Sequence, residues 1–365
     1  LYICYNMEPE KSALKVNEGI EQPPIVNPNA IKRIRKNRQQ LLTANEYVGG
    51  IREGNITILS KAITLIESSL ADHQQLAQDI IEKCLPYTGN SVRLGITGVP
   101  GAGKSTFIEA FGGLLTSQGH KVAVLAIDPS SERSKGSILG DKTRMVTLSG
   151  DPNAFIRPSP SAGSLGGVAR KTRETLILCE AAGFDVIIIE TVGVGQSETA
   201  VHSMVDFFLL LMIAGAGDEL QGIKRGIMEM ADLLVVNKAD GSNINKAMQA
   251  RTQYQSALHL FPPRESGWEP KAMTCSSTEK TGLNEIWEAI GGFVNLTKNN
   301  NFFYHQRQDQ KKYWMYETVN ETLRNYFYES PNVQPYLSHY EGNVMEGKMS
   351  PFTAAKELLQ KHSNR

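Results

Sequence analysis

The sequence predicts an α/β fold, a doubly wound and mainly parallel sheet with helical extensions at its N- and C-terminal ends. Six short apolar runs, rich in Val, Ile and Leu, show little alternation, as expected of strands covered on both faces. Two helical patterns, at 165–182 and 243–260, provide the crossovers that parallel strands need. The predicted strands are 92–97, 122–127, 186–190, 207–213, 233–237 and 273–276.

Composition narrows the class of protein. Lys plus Arg and Asp plus Glu both number 38, so no general surface field favours nucleic acid or a membrane. The four cysteines form no C-x-x-C pair, which is typical of a reducing compartment. The apolar run at 207–214 is far shorter than the roughly 20 residues that cross a bilayer. Residues 1–10 lack the parts of a signal peptide, so we expect a cytoplasmic protein.

The N-terminal region divides into two parts. Residues 1–30 contain four prolines and few large apolar side chains, so we expect a flexible arm. Residues 31–88 have apolar side chains at helical spacing and form a predicted helical subdomain. Its segment 31–38 is basic enough for nucleic acid or a membrane surface, although a solvated helix face is the preferred interpretation.

Residues 89–298 hold the predicted sheet, and residues 299–365 form a predicted C-terminal helical extension for dimerisation. A long helix is expected at 304–328, followed by a turn-rich stretch at 336–347 and a second helix after Pro351. Such an extension cannot bury its apolar face alone, so it packs either on the core or on another subunit, and we expect a second subunit. The predicted apolar face of the long helix consists of Trp314, Val319, Leu323 and Phe327.

A phosphate-binding pattern, G-x-x-x-x-G-K-S, occupies 98–105 directly after the first strand. Its glycines let successive N–H groups point at one phosphate, and the following helix turns its positive end toward the anion. Lys104 places a charge on the outer phosphates and Ser105 can ligate Mg²⁺. This chain is predicted to bind a nucleoside triphosphate. The candidate binding residues are Gly98, Pro100, Gly101, Ala102, Gly103, Lys104, Ser105 and Thr106.

The tetrapeptide Asn237-Lys238-Ala239-Asp240 ends a strand about 130 residues after this loop. The Asp240 carboxylate can accept hydrogen bonds from the ring N–H and the exocyclic amine of guanine, a pair of donors that adenine lacks. Lys238 can lie over the base. Ser276 and Ser277, after the last strand, are candidates for a further base-contacting loop. The predicted nucleotide is therefore GTP.

The residues expected around the γ-phosphate differ from those of small GTPases. Glu190 and Gly193 stand where D-x-x-G is usual, so a longer carboxylate reaches toward the attacking water and the glycine N–H senses the phosphate. Val194 occupies the position of the water-orienting glutamine, which predicts slow hydrolysis. Asp128 ends the second strand and can hold the water shell of a metal, or it forms a simple turn.

Two further loops carry charge. Asp141 lies in the glycine-flanked loop 136–141. The glycine-rich segment 215–224 follows a buried strand and contains Asp218 and Lys224, which suits a nucleotide-sensing switch. The alternative interpretation is an ordinary surface cluster of charged residues.

Together these motifs resemble the MeaB family of G proteins, also labelled ArgK, which includes the methylmalonic aciduria type A protein. The likeness extends over about residues 30–360, and the segment 190–198 is the most specific part of it. The other segments that carry it are 98–105, 126–131, 155–160, 215–224 and 237–240.

The resemblance implies a homodimeric GTPase chaperone of an adenosylcobalamin-dependent methylmalonyl-CoA mutase, one that gates cofactor loading and protects the mutase. It places Asp128 and Asp141 around the Mg²⁺ ion with Ser105, while Glu190 assists GTP hydrolysis to GDP. It also makes Asp218 and Lys224 catalytic residues of a third switch that couples the GTP state to the mutase, and it assigns a dimer arm to the helix at 313–327.

Two alternatives stay open. A kinase acting on a transport protein fits the phosphate loop, although no separate motif for an acceptor site is present. A nickel-insertion GTPase would normally carry Cys and His near that loop, where Cys84 stands alone.

Overall fold

Seven parallel strands form the sheet of the computed structural model, which describes residues 41–127, 145–158, 165–191, 197–215 and 225–363. The strands are β1 (Val92–Gly98), β2 (Val122–Ile127), β3 (Ala154–Arg157), β4 (Val186–Thr191), β5 (Phe207–Ile213), β6 (Leu233–Asn237) and β7 (Lys271–Thr274). Their order in the sheet is β3-β2-β4-β1-β5-β6-β7, with every pair parallel. The doubly wound architecture is confirmed.

The central strands match their predicted positions because burial on both faces demands continuous apolar sequence. The strands predicted at 122–127, 207–213 and 233–237 have the predicted bounds, and β2, β4 and β6 are buried at every residue. β1 and β4 each extend one residue beyond the prediction, to Gly98 and Thr191.

Both edge strands depart from the prediction. β3 was not predicted, since its four residues are too short to show a pattern. The last strand was predicted at 273–276, but it runs Lys271–Thr274. An edge strand exposes one side to solvent, and β7 begins at the exposed Lys271. A search for continuous apolar residues therefore does not find the start of this strand.

Thirteen helices are described around the sheet. They are α1 (Ala44–Arg52), α2 (Ile56–Glu67), α3 (Ala71–Cys84), α4 (Lys104–Ser117), α5 (Val146–Ser149), α6 (Leu165–Ala181), α7 (Ser197–His202), α8 (Arg225–Met230), α9 (Ile244–Leu258), α10 (Leu283–Asn299), α11 (Phe302–Tyr328), α12 (Gln334–Met345) and α13 (Pro351–Ser363). Short 3-10 turns lie at Leu85–Tyr87 and Gly241–Asn243.

The helices before the sheet confirm the helical spacing predicted for that part of the chain. Thr43 and Glu46 form a reciprocal capping box at the start of α1. α1, α2 and α3 pack on one another and on α6. Nε of Arg157 in β3 donates a 3.0 Å hydrogen bond to Oε1 of Glu67 at the end of α2. The predicted arm at 1–30 and the basic segment 31–38 lie outside the described residues.

The helices after the sheet contain one error of prediction. The stretch 336–347, expected to be turn-rich, mostly forms helix α12. Pro335 is tolerated in the first turn of that helix, and Tyr340 is buried and donates a 2.8 Å hydrogen bond to Glu357 of α13. On α11, two members of the predicted apolar face, Val319 and Leu323, are 48% and 60% exposed in this chain.

α11 begins at the end of the sheet where the strands start, which we call the amino end. There Arg307 donates from Nε and Nη2 to both carboxylate oxygens of Asp206, at 2.7 and 2.6 Å. Arg93 pairs in the same two-pronged way with Glu180, at 2.9 and 3.1 Å. Burial raises the pKa of Glu180, but Arg93 and Arg307 outweigh it and hold that pKa below its ordinary value. This buried charge network anchors α11 to the sheet.

Two predictions about composition can be checked in the described part of the chain. Cys84, Cys179 and Cys275 are buried free thiols, whereas Cys4 lies outside that part. No described helix is both long enough and apolar enough to cross a bilayer.

Candidate nucleotide-binding site

The phosphate-binding loop joins β1 to α4 at the carboxyl end of the sheet, where the strands finish. A Cβ at Gly98 would collide with the carbonyl of Leu211 in β5, so only glycine lets the two strands approach here. Gly101 and Gly103 have φ of 77° and 84°, in the left-handed region that favours glycine. The fold therefore requires all three glycines of the loop. Pro100, Gly101 and Thr106 are exposed.

Lys104 is the first residue of α4 and is half-buried. Its Nζ donates to the carbonyl oxygen of Gly98 at 2.8 Å, which holds the ammonium group over the loop. Burial lowers the pKa of Lys104, while the carboxylates of Glu190 and Glu198 act in the opposite direction. A phosphate supplies the negative charge that offsets this burial, so the position suits an anion.

Ser105 and Glu190 meet beside Lys104. The Ser105 hydroxyl lies 3.4 Å from Oε1 of Glu190, and Glu190 is only 6% exposed near the end of β4. The neighbouring residue Thr191 is tied to β1 by a 2.8 Å hydrogen bond with Thr97. A hydroxyl and a carboxylate side by side are the hard oxygen donors that Mg²⁺ prefers, so these two residues fit that ion.

Asn237 connects the phosphate loop to the loop after β7. Its Nδ2 donates to the carbonyl of Ala102 at 2.8 Å. Its Oδ1 accepts from the backbone N–H and the hydroxyl of Ser277, at 3.2 and 2.8 Å, and from the Cys275 thiol at 3.4 Å. One buried amide thus fixes two loops relative to each other.

Cys275 was missed as a site residue. Burial raises its pKa to about 12, so it stays a neutral thiol that donates to Asn237. Its only sequence signal is its position directly before Ser276.

Asp240 is held in place by the loop after β7. The Ser276 hydroxyl donates to Oδ2 of Asp240 at 2.5 Å and accepts from the N–H of Glu279 at 3.1 Å. Lys238 adopts a left-handed φ of 59°, and Asn243 donates to its carbonyl at 2.7 Å. The predicted base-reading residues Asn237, Asp240, Ser276 and Ser277 are therefore brought together at one end of the sheet.

Five predicted site residues lie outside the described residues: Asp128, Asp141, Gly193, Asp218 and Lys224. Within the part that is described, no group of three or more His, Cys, Asp and Glu side chains is arranged to hold a metal.

Comparison with known proteins agrees with this geometry. A family model described as methylmalonyl Co-A mutase-associated GTPase MeaB matches residues 59–332, well over half of the chain. The GTPase ArgK of Escherichia coli (strain K12) is 48% identical over 318 residues, which cover 87% of this chain and 96% of the relative. The mitochondrial methylmalonic aciduria type A homolog of Mus musculus is 45% identical over 326 residues, covering 87% of this chain and 79% of the relative.

A solved structure is also similar. The crystal structure of a LAO/AO transport system kinase superposes with a TM-score of 0.70 at 41% sequence identity. The match covers 88% of this chain and 99% of that one.

Proposed function

This chain belongs to the MeaB family of P-loop GTPases, and we propose that it is a chaperone of an adenosylcobalamin-dependent methylmalonyl-CoA mutase, loading and protecting that enzyme according to its GTP state. The family match over residues 59–332 carries the proposal, because the family is described as associated with this mutase. The relatives named after methylmalonic aciduria support the same client.

Guanine recognition is the first step that the described residues can perform. Asp240, oriented by the Ser276 hydroxyl, accepts from the two donors on the guanine edge. The same Asn237 amide contacts Ala102 of the phosphate loop and Ser277 of the loop after β7. It therefore fixes the position of a bound base relative to the phosphate loop. ATP would leave the carboxylate without its pair of donors, which is costly for a polar group removed from water.

Phosphate binding then uses Lys104 and the N–H groups of the loop. Lys104 exchanges its contact with the Gly98 carbonyl for the outer phosphates of GTP. Ser105 and Glu190, with Asp128 and Asp141 from outside the described residues, would hold Mg²⁺, which neutralises phosphate charge when bound. Glu190 directs the attacking water toward the γ-phosphate.

The GTP state is proposed to reach the mutase through Gly193 and the segment that carries Asp218 and Lys224. Val194 in place of a water-orienting glutamine keeps intrinsic hydrolysis slow, so the GTP-bound state persists until the client acts.

Dimerisation is proposed to use the C-terminal helices. Large apolar side chains on α11 and α13 are exposed in this chain, among them Tyr316, Leu323 and Phe352, which is 86% exposed. A second copy of the chain covers them in the proposed homodimer.

Complex formation tests the proposal. A purified adenosylcobalamin-dependent methylmalonyl-CoA mutase is mixed with this protein loaded with GDP or a non-hydrolysable GTP analogue, and binding is followed by calorimetry. We expect binding whose affinity differs between the two nucleotides. A Glu190→Gln variant should bind the mutase and GTP while hydrolysing GTP about 100-fold more slowly. Absence of a complex with both nucleotides contradicts the proposed client.

A protein kinase is the second candidate, because the similar solved structure is described as a transport system kinase. The fate of the γ-phosphate decides between the two. Release of inorganic phosphate into solution supports the GTPase chaperone, whereas radioactive phosphate on a transport-system binding protein supports the kinase.

A further inference from the structure

A cleft of about 680 Å³ lies away from the nucleotide loops, between the α2–α3 turn, the first half of α6 and the second half of α11. None of the residues assigned above to nucleotide binding lines it. Its charged lining consists of four cations and two carboxylates, so the cleft is net positive. These side chains are Arg170, Lys171, Arg173, Arg324, Glu317 and Glu321.

Arg173 is the most telling member of this lining. The residue is only 5% exposed, and its Nε makes one long hydrogen bond, 3.3 Å, to the carbonyl of Ala169 in its own helix. Its guanidinium carbon lies 5.9 Å from the ring centre of Trp314. Among the described residues, neither terminal nitrogen donates a hydrogen bond, and no carboxylate oxygen lies within 4.0 Å of them. Buried arginines are normally paired with a carboxylate, so these nitrogens can still bind an anion.

Electrostatics agrees with that geometry. Burial lowers the pKa of Arg173 from its ordinary value, although Tyr313 and the carboxylates of Glu317, Glu321 and Glu174 act in the opposite direction. The surrounding protein groups therefore offset the burial of the guanidinium only in part. An additional anion in the cleft would do so.

Arg170 stands one helical turn before Arg173 on the same face of α6, and it also has a donor without a hydrogen bond. Its buried Nε has no hydrogen-bond partner. The nearest carboxylate oxygens, on Glu321 and Glu174, are 3.8 and 3.9 Å away, too far for a hydrogen bond. Two adjacent guanidinium groups thus have donors that the described protein groups do not fill.

We propose that this cleft binds a small, multiply charged oxyanion of the phosphate-ester type. Its cationic lining comes from α6 and from Arg324 on α11, and Ser68 and Ser69 before α3 complete the lining, so polar groups surround the cleft on three sides. A phosphate group, with three terminal oxygens, can accept from three directions, whereas a carboxylate accepts in one plane. The volume is within the range of pockets for small ligands. The bound anion joins α6 to α11.

Pyrophosphate is a suitable probe. Wild-type protein is first loaded with one equivalent of GDP, which fills the phosphate loop, and is then titrated with sodium pyrophosphate in a calorimeter at fixed ionic strength. We expect one further binding event. Arg173→Gln and Arg324→Gln should each weaken it at least about tenfold, since charge-assisted hydrogen bonds are lost.

Arg324 is exposed, so its substitution leaves folding intact and stays informative if Arg173→Gln does not fold. Arg251→Gln, on the exposed face of α9, is the matched control and should bind pyrophosphate like the wild type. The inference is overturned if GDP-loaded wild type takes up no pyrophosphate, or if the wild type and Arg324→Gln bind it equally well.

Discussion

The amino and carboxyl ends of the sheet satisfy their charged side chains in different ways. At the amino end, Arg307 and Asp206 are paired by two hydrogen bonds and are at most 8% exposed. At the carboxyl end, Lys104 is half-buried and donates to a backbone carbonyl, a contact that a phosphate can replace. The paired charges at the amino end stabilise the fold, whereas the charge of Lys104 at the carboxyl end is available to a ligand. The two ends should therefore respond differently to substitution.

The largest expected effect is at the amino end. Arg307→Ala leaves Asp206 buried without its charged partner and frees the start of α11. We expect the free energy of unfolding to fall by about 3–5 kcal/mol. Urea denaturation measures this, with Arg251→Ala on the surface of α9 as the control. A loss of less than about 1 kcal/mol would show that the buried network does not anchor the helix.

Lys104→Ala at the carboxyl end should lower activity and leave stability almost unchanged. Removing one charge that stabilises the transferred phosphoryl group should slow GTP hydrolysis by about 10²–10³-fold. The thermal midpoint should stay within a few degrees of the wild type, because the described hydrogen bonds of Lys104 go to the backbone carbonyls of Gly98 and Val99 rather than to a carboxylate. Lys246→Ala, exposed on α9, is the control for activity. A collapse of stability in Lys104→Ala would break the distinction between the two ends.

The amino end should also respond to pH through Asp232, which precedes β6. Burial raises its pKa to about 6 from an ordinary value of 3.8, although Arg264 lies 2.8 Å away. Between these pH values the folded state holds a proton that the unfolded chain has released. The contribution of Asp232 to stability is therefore greatest below about pH 4 and is lost as pH rises to about 6.

Asp232→Asn replaces the titrating carboxyl group with an amide that does not titrate in this pH range. The free energy of unfolding of the wild type, relative to the variant, should fall by up to about 3 kcal/mol between pH 4 and pH 7. Parallel stability curves for the two proteins over this range would contradict the prediction.

The smallest expected effect concerns how the base is read. Ser276→Ala removes the hydroxyl that orients Asp240, and this costs about 1 kcal/mol, or roughly fivefold in GTP affinity. Weak ATP binding should not change. Ser256→Ala on α9 is the control, and fluorescence titration with labelled GDP and unlabelled competitors measures all three proteins. An equal loss for ATP would show that Ser276 supports the loop rather than guanine selectivity.

The sequence carried more information about the carboxyl end than about the amino end. The phosphate loop and the tetrapeptide ending in Asp240 are contiguous motifs, and each follows an apolar strand with a clear pattern. The network at the amino end joins Arg307 to Asp206 across about 100 residues, with no local signal for either partner. Such pairs appear only when the fold brings distant segments together.

Local errors have similar causes. β7 was misplaced because its first residue, Lys271, is exposed and charged. α12 was missed because Pro335, Gly342 and Asn343 suggest turns, whereas packing of Tyr340 against α13 stabilises a helix. The contact of Cys275 with Asn237 depends on the register of two strands, which motif reading does not supply.

GTP turnover with and without a purified adenosylcobalamin-dependent methylmalonyl-CoA mutase tests the central claim most directly. Phosphate release is followed at saturating GTP, with Lys104→Ala as the inactive control. We predict slow turnover by the protein alone and a turnover rate that changes several-fold when the mutase is added. An identical rate with and without the mutase, together with no detectable complex, would contradict a GTP-dependent chaperone role for that client.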